Sequence, residues 1–367
     1  MLTRRALLAA AAAAPLLPAV AGTPPPLRSF IPEERTLRGA ARASGRLYGC
    51  ATANYELAMD DFRPVLLREA GVIVPEYEMK RDALEAAPGR YDFSATDQLV
   101  QFAQDHGLAF RGHTLVWHLS NPPWLEERVR TTRDERLFTG HIAKLMGRYR
   151  GRIGSWDVIN EVLSPADGRA DNLRDSFWLQ TFGPGYIDTA LHAARAADPS
   201  AQLVYNDWGC EQAGPFYDRF RAATLKFLEG LKARAVPIDA LGLQGHLAAF
   251  RGGIDARALS RFLDEVKAMG LRILVTELDV DDGRGPLDIA VRDRSVADVT
   301  ARFLDVVLAN EAVDQVLSWG LSDRFLRKPS FEERLIGYAP RMLPLDDSFG
   351  RTAMWRAMRR AFAGVRA

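Results

Sequence analysis

Cysteine is nearly absent from this chain. Its 367 residues include two, Cys50 and Cys210, and neither has a partner at metal-ligand spacing. A multi-disulfide scaffold is thereby excluded, and the pair is left as one disulfide or two buried thiols. An excess of charge is missing as well. Lysine and arginine together number 48 against 47 acidic residues, a formal net charge of +1, so nothing in the balance favours nucleic acid or an anionic membrane as partner. Past the N-terminus no apolar run reaches the ~20 residues of a membrane-spanning helix. The chain also lacks a Gly-x-Gly-x-x-Gly turn after its first strand, a Gly-x-Ser-x-Gly elbow and a His-Glu-x-x-His pair. These absences remove the main support for a dinucleotide fold, a serine hydrolase and a zinc hydrolase, and no metal is expected.

What is present is the composition of a soluble globular protein, 47% hydrophobic and 26% charged. The first residues stand apart. Thr3-Arg4-Arg5 precedes an apolar run from Ala6 to Val20, and Ala19-Val20-Ala21 supplies small residues at a cleavage spacing. Residues 1–21 therefore read as an export signal, of twin-arginine type if Arg4-Arg5 before Ala6-Leu7-Leu8 is not a chance pairing. The expected destination is the periplasm or the outside of the cell, with no membrane attachment after cleavage. Residues 22–45 open with Thr23-Pro24-Pro25-Pro26 and read as a proline-rich lead-in. Residues 46–367 are expected to form a single domain, as a monomer.

Short apolar runs then alternate with longer amphipathic ones. Strands are expected at Leu47–Thr52, Val72–Pro75, Ala109–Trp117, Ile153–Asn160, Gln202–Asn206, Ala240–Gly245, Arg272–Leu278 and Gln315–Trp319. Helical stripes lie between them. Leu137, Ile142, Leu145, Met146 and Tyr149 end at Gly151; Leu259, Phe262, Leu263, Val266 and Met269 end at Gly270. Ser94-Ala95-Thr96-Asp97 resembles a capping box, with Gly107 as the stop. Eight strands alternating with helices predict a parallel sheet, and the count and length fit an α/β (β/α)8 TIM barrel; an open doubly wound sheet is the alternative.

In such a barrel the site lies at the C-terminal strand ends, and polar residues gather there. They include Glu76 and Lys80, His113 and Trp117, Asn160-Glu161, Asn206-Asp207, Gln244-Gly245-His246, Glu277-Leu278-Asp279 and Trp319. Two strand-end carboxylates far apart in sequence, Glu161 and Glu277, suffice to hydrolyse a glycoside if one holds a proton and the other stays ionised. A hydrogen bond from His246 would keep Glu277 charged and aimed, and Asp279 would hold His246. Tryptophan faces suit pyranose rings better than metal ligands.

Taken together these motifs resemble glycoside hydrolase family 10, known for endo-1,4-β-xylanases. The matching runs are Arg111-Gly112-His113-Thr114-Leu115-Val116-Trp117-His118, Trp156-Asp157-Val158-Ile159-Asn160-Glu161, Asn206-Asp207, Gly242-Leu243-Gln244-Gly245-His246, Thr276-Glu277-Leu278-Asp279 and Trp319-Gly320-Leu321-Ser322-Asp323-Arg324. They occur in the family's order from about Phe30 to Ala363. The resemblance implies a retaining endo-1,4-β-xylanase acting on xylan or xylo-oligosaccharides without cofactor. Glu161 matches the family's acid/base, Glu277 its nucleophile and Asn160 its reader of the sugar 2-hydroxyl. Lys80, His113, Trp117, Gln244 and Trp319 match residues lining the non-reducing-side subsites, and Glu76 a more distant sugar contact. Asn206 is expected to face substrate and His246 and Asp279 to support catalysis. Another β-glycanase and a catalytically dead sugar-binding protein are the rivals.

The departures fall away from the carboxylates. Tyr77 stands where the family has a sugar-binding amide, and Arg81 where it has a tryptophan. Leu119-Ser120 follows the third-strand motif, Gly209-Cys210 follows Trp208, and Phe325-Leu326-Arg327-Lys328 replaces a second tryptophan. Arg81, Arg327 and Lys328 either favour xylan with acidic side groups or are plain surface charge in an arginine-rich chain.

Overall fold

Eight parallel strands close on themselves in a computed structural model that describes residues 35–364. The strands are β1 (Leu47–Thr52), β2 (Val72–Pro75), β3 (Ala109–Gly112), β4 (Ser155–Asn160), β5 (Gln202–Asp207), β6 (Ala240–Leu243), β8 (Arg272–Asp281) and β9 (Val313–Ser318), with a three-residue strand β7 (His246–Ala248) between β6 and β8 in sequence. Each pairs with the next, β6 pairs with β8, and β9 returns to β1. The barrel is therefore closed, with no free edge, and the doubly wound alternative falls. The segment read as a signal, residues 1–21, lies outside the described residues. The helix Leu37–Ala43 occupies part of the segment read as a lead-in. It buries Leu37, Ala40 and Ala41, and its Leu37 amide donates to Glu69 Oε2 at 2.9 Å.

Alternation along the strands sorts the side chains. Outward positions such as Tyr48, Ile73, Tyr205, Leu241, Ile273 and Val316 join the large core shared with the helices. Inward positions form two small apolar clusters, one of Ala51, Val72, Val74 and Leu317, the other of Val204, Ala240 and Leu274. One step further along the second set of strands the inward residues are Asn206, Gly242 and Thr276, so the polar site sits directly on an apolar plug. Gly242 is required there, since an added Cβ would collide with Asn206 Oδ1. Helices cover the outside. The helix Ala256–Ala268 buries Leu259, Phe262, Leu263 and Val266 as its stripe predicts, each contributing about 1.5–3 kcal/mol, and Gly270 (φ 76°) stops it. The helix Arg136–Arg148 likewise buries Ile142, Leu145 and Met146.

Two local expectations are corrected. Strand β3 ends at Gly112 rather than Trp117. The chain turns His113 inward, then rejoins β4 through Leu115 N to Asp157 O and Val116 N to Val158 O, both at 3.0 Å. The capping box at Ser94 does not form. Ser94 is the first residue of the helix Ser94–Asp105; its amide and hydroxyl both donate to Asp92 Oδ1, at 2.9 and 2.6 Å. Asp97 instead accepts from Tyr149 Oη at 2.9 Å and pairs with Arg148. Cys50 and Cys210 are both free and buried, which settles the disulfide question in favour of thiols. Among the described residues no helix is long and apolar enough to cross a membrane.

Candidate active site

At the C-terminal mouth the strand ends deliver their polar side chains to one place. Glu277, on β8, is 5% exposed. Its Oε1 accepts from Asn206 Nδ2 at 2.8 Å, and its Oε2 lies 3.2 Å from His246 Nε2. The other imidazole nitrogen of His246 lies 3.0 Å from Asp279 Oδ1. The relay expected from the sequence, Asp279 to His246 to Glu277, is therefore present. Its cause is register: β7 pairs with the last residues of β8, placing His246 beside Asp279. A buried acid, Glu211, fixes the turn before it, accepting from Gly209 N and Gly245 N at 2.8 and 3.1 Å.

The charges explain the protonation of this half of the site. Burial alone would raise the Glu277 carboxyl. The His246 hydrogen bond, the positive potential of His113 and His246, and the Asn206 hydrogen bond outweigh it and bring the carboxyl down to about 2. For His246, burial opposes the charged form, but Asp279 and Glu277 overcome it and hold the imidazole well above its ordinary range. His113 Nδ1 is 4.0 Å from Glu277 Oε1 and 3.0 Å from Asp157 Oδ2. Asp157 in turn accepts from Arg111 Nη2 at 2.6 Å. Arg111 and Asp157 are each 1% exposed; a buried pair of this kind is costly to break, by about 3–5 kcal/mol.

Glu161 is held differently. It follows β4 with φ 55°, a left-handed conformation that is uncommon outside glycine. Two bonds hold the backbone there: Glu161 N donates to Asn206 O at 2.9 Å, and Glu161 O accepts from Arg174 Nε at 2.7 Å. The carboxylate Oε1 accepts from Gln244 Nε2 at 3.1 Å and, more loosely, from Asn160 Nδ2 at 3.4 Å. Asn206 Nδ2 also donates to Asn160 Oδ1 at 2.8 Å, while Asn206 Oδ1 accepts from Thr276 Oγ1 at 2.6 Å. A chain of amides thus links the two carboxylates, and the backbone carbonyl of Gln244 accepts from Glu277 N at 2.8 Å.

The remaining expected residues line one side of this mouth. Trp319 and Trp117 flank His113 with ring centroids 5.3 and 6.3 Å away, and the Lys80 ammonium lies between Trp117 and Trp319. Glu76 is half-buried at the end of β2; burial raises its carboxyl, and the charge of Lys80 opposes the rise. Arg81 is a correction. It is buried on the barrel flank, pairs with Glu85 at 2.6 Å and donates to Leu137 O at 2.9 Å, so it reaches no substrate. It is the first residue of the helix Arg81–Leu84, where it is buried and its guanidinium is taken up by Glu85 one turn on. Arg327 and Lys328 are exposed on the loop after β9.

Several residues of the site carried no role in the sequence reading: Arg111, Asp157, Arg174, Glu211 and Thr276. Arg111 and Asp157 had a visible signal, since each is a charge inside an apolar strand. Arg174 and Glu211 lie in loops and had none. Among the described residues no three His, Cys, Asp or Glu side chains are grouped to hold a metal ion.

The family model described as Glycosyl hydrolase family 10 matches residues 36–342. The chain is 30% identical over 339 residues to endo-1,4-beta-xylanase B of Thermotoga neapolitana, covering 90% of this chain and 92% of that one. It spans 39% of a longer relative, endo-1,4-beta-xylanase A of a Caldicellulosiruptor strain, at 32% identity over 281 residues. Among solved structures, native xylanase 10B from Thermotoga maritima superposes with a TM-score of 0.78 at 28% identity, covering 89% of this chain and 98% of that one. An intracellular xylanase from Thermoanaerobacterium saccharolyticum in complex with xylotriose gives 0.76 at 26% identity, covering 90% and 99%.

Proposed function

This chain belongs to glycosyl hydrolase family 10, and from that membership we propose that it is a retaining endo-1,4-β-xylanase that cleaves internal bonds of xylan. The observation that carries the chemistry is the contrast at the mouth: Glu277 is held ionised between two imidazoles, while the donors reaching the Glu161 carboxylate are neutral amides. A carboxylate kept charged at the centre of the site is suited to attack the anomeric carbon. A carboxyl without a cation at contact is suited to carry a proton.

The steps follow. Glu277 attacks the anomeric carbon, the glycosidic bond breaks, and Glu161 passes its proton to the leaving oxygen. A covalent glycosyl ester on Glu277 results. Glu161, now ionised, takes a proton from water, and the oxygen of that water displaces Glu277. Asn160, fixed by Asn206, stands beside the acid where the 2-hydroxyl of the attacked sugar is read. Lys80, His113, Trp117, Gln244 and Trp319 hold the non-reducing arm. No step calls for a cofactor.

Product analysis tests the reading. Xylan digested in an NMR tube is expected to release oligosaccharides whose first-formed anomer is β, with short products arising from internal cuts. First-formed α anomer would refute retention. A higher initial rate on cellulose or mixed-linkage glucan than on xylan would reassign the substrate. Export is a separate proposal, supported by Arg4-Arg5 and the apolar run that follows. The mature N-terminus, read by mass spectrometry of protein from the native cell, is expected near residue 22.

A further inference from the structure

One ammonium in the mouth touches three rings. Lys80 Nζ lies 5.2 Å from the centroid of Trp117, 5.8 Å from that of Trp319 and 5.8 Å from that of Tyr77. The two tryptophans flank His113, which is 4.0 Å from Glu277. Contact by contact from Glu277, the chain runs through His113 and the tryptophan pair to Lys80 and Tyr77. Tyr77 is 49% exposed, while both tryptophans are half-buried.

A single exposed aromatic is ordinary on a protein surface. Two features set this one apart. Its ring shares the Lys80 ammonium with the two tryptophans that flank His113 beside Glu277, and it is fixed. Its hydroxyl donates to Asp82 Oδ2 at 2.8 Å, Asp82 Oδ1 accepts from Ala83 N at 2.9 Å, and Asp82 N donates to Ser120 O at 3.0 Å. A ring ordered before binding loses little conformational freedom when a ligand docks. Its face carries the negative lobe of the quadrupole, which attracts the axial C–H groups of a pyranose.

We propose that Tyr77 is a specificity-determining residue: its ring is the stacking platform for a xylose unit outward from the sugar that Glu277 attacks. Turnover then depends on the length of the non-reducing arm. The proposal rests on the xylanase reading above.

The test compares 4-nitrophenyl β-xyloside with the β-xylotrioside, using the full chain and its Tyr77→Ala and Tyr77→Phe variants. The readout is the ratio of kcat/KM on the trioside to that on the monoxyloside, which a partly unfolded sample does not alter. Tyr77→Ala is expected to lower this ratio about three- to tenfold, chiefly through KM. Tyr77→Phe keeps the ring and is expected to lower it less than about twofold. An unchanged ratio in Tyr77→Ala, or an equal fall in both variants, would overturn the proposal. Failure of the underlying reading looks different: the unmodified enzyme would then turn over neither xyloside.

Discussion

Glu277 and Glu161 are the same side chain at the ends of two strands of one barrel, and their surroundings are opposite. Glu277 sits inside a strand in extended backbone, is buried, and meets His246 and His113. Glu161 stands one residue past its strand at φ 55°, is half-buried, and meets Gln244 and Asn160. The first is built to stay charged. The second is held in a backbone conformation that costs of order 1–3 kcal/mol, offset by the Asn206 carbonyl and the Arg174 guanidinium that grip it from both sides. Two equal carboxylates thus acquire different work from what touches them, a division of roles set by environment.

Removing each carboxylate in turn separates the two roles most strongly. Glu277→Ala is expected to lower kcat by about 10^4-fold or more on every substrate, since no covalent intermediate can form. Glu161→Ala is expected to cost about 10^2- to 10^4-fold on xylan. On an aryl glycoside with a good leaving group it should show a burst of phenolate, because the acid step is then dispensable and only the second displacement is slow. A burst in Glu277→Ala, or none in Glu161→Ala, would exchange the two assignments.

A smaller effect tests why Glu277 stays ionised. Its carboxyl is down at about 2 through His246, His113 and Asn206 acting against burial. The active form is the deprotonated one, so a lowered pKa extends activity towards acid. His246→Ala removes one charge and one hydrogen bond to a charged group, a loss of about 1.5–3 kcal/mol, or roughly one to two pH units. The acid limb of the kcat/KM profile is therefore expected to move up by that amount, with kcat near neutral pH down about 10- to 100-fold. An acid limb that stays in place would mean that His246 acts on something other than this carboxylate.

How much of this contrast was legible in the sequence follows from the range of each interaction. Val158-Ile159 before Asn160-Glu161, and Leu274-Val275 before Thr276-Glu277, announce strands by apolar pattern and end them on polar residues, so the strand-end site could be read directly. The relay from Asp279 to His246 was legible too, because both lie at ends of strands adjacent in the barrel. Asn206 as the link between both carboxylates was not, since that depends on the inward step of β5 relative to β6 and β8. Arg174 and Glu211 act from loops whose paths no periodicity encodes. Arg81 fits neither alternative left open for it, a reader of acidic side groups or plain surface charge: standing at a tryptophan position of the family says nothing of where a guanidinium goes, and a helix that begins there turns it to Glu85 in the interior.

The smallest expected effect concerns Asp207, a buried acid under the Glu161 half of the site. Its Oδ2 accepts from Tyr205 Oη at 2.6 Å and from Leu163 N at 3.3 Å, and its Oδ1 from Trp208 N at 2.9 Å. Burial pushes the carboxyl up to about 8, its hydrogen bonds oppose the rise, and the negative charge of Glu161 adds to it. The Glu161 half of the site therefore sits above a third carboxyl, one that is neutral below about 8. Asp207→Asn replaces one neutral group with another of the same shape. Activity on xylan at neutral pH is expected to fall less than about threefold, and the stability read by urea unfolding to change by less than about 1 kcal/mol. If Asp207 instead carried charge at neutral pH, its three donors would be making hydrogen bonds to a charged group, each stronger than a bond to a neutral one. The same substitution would then cost about 1.5–3 kcal/mol of stability in urea unfolding, and the acid beneath Glu161 would be a held charge and not a neutral filler.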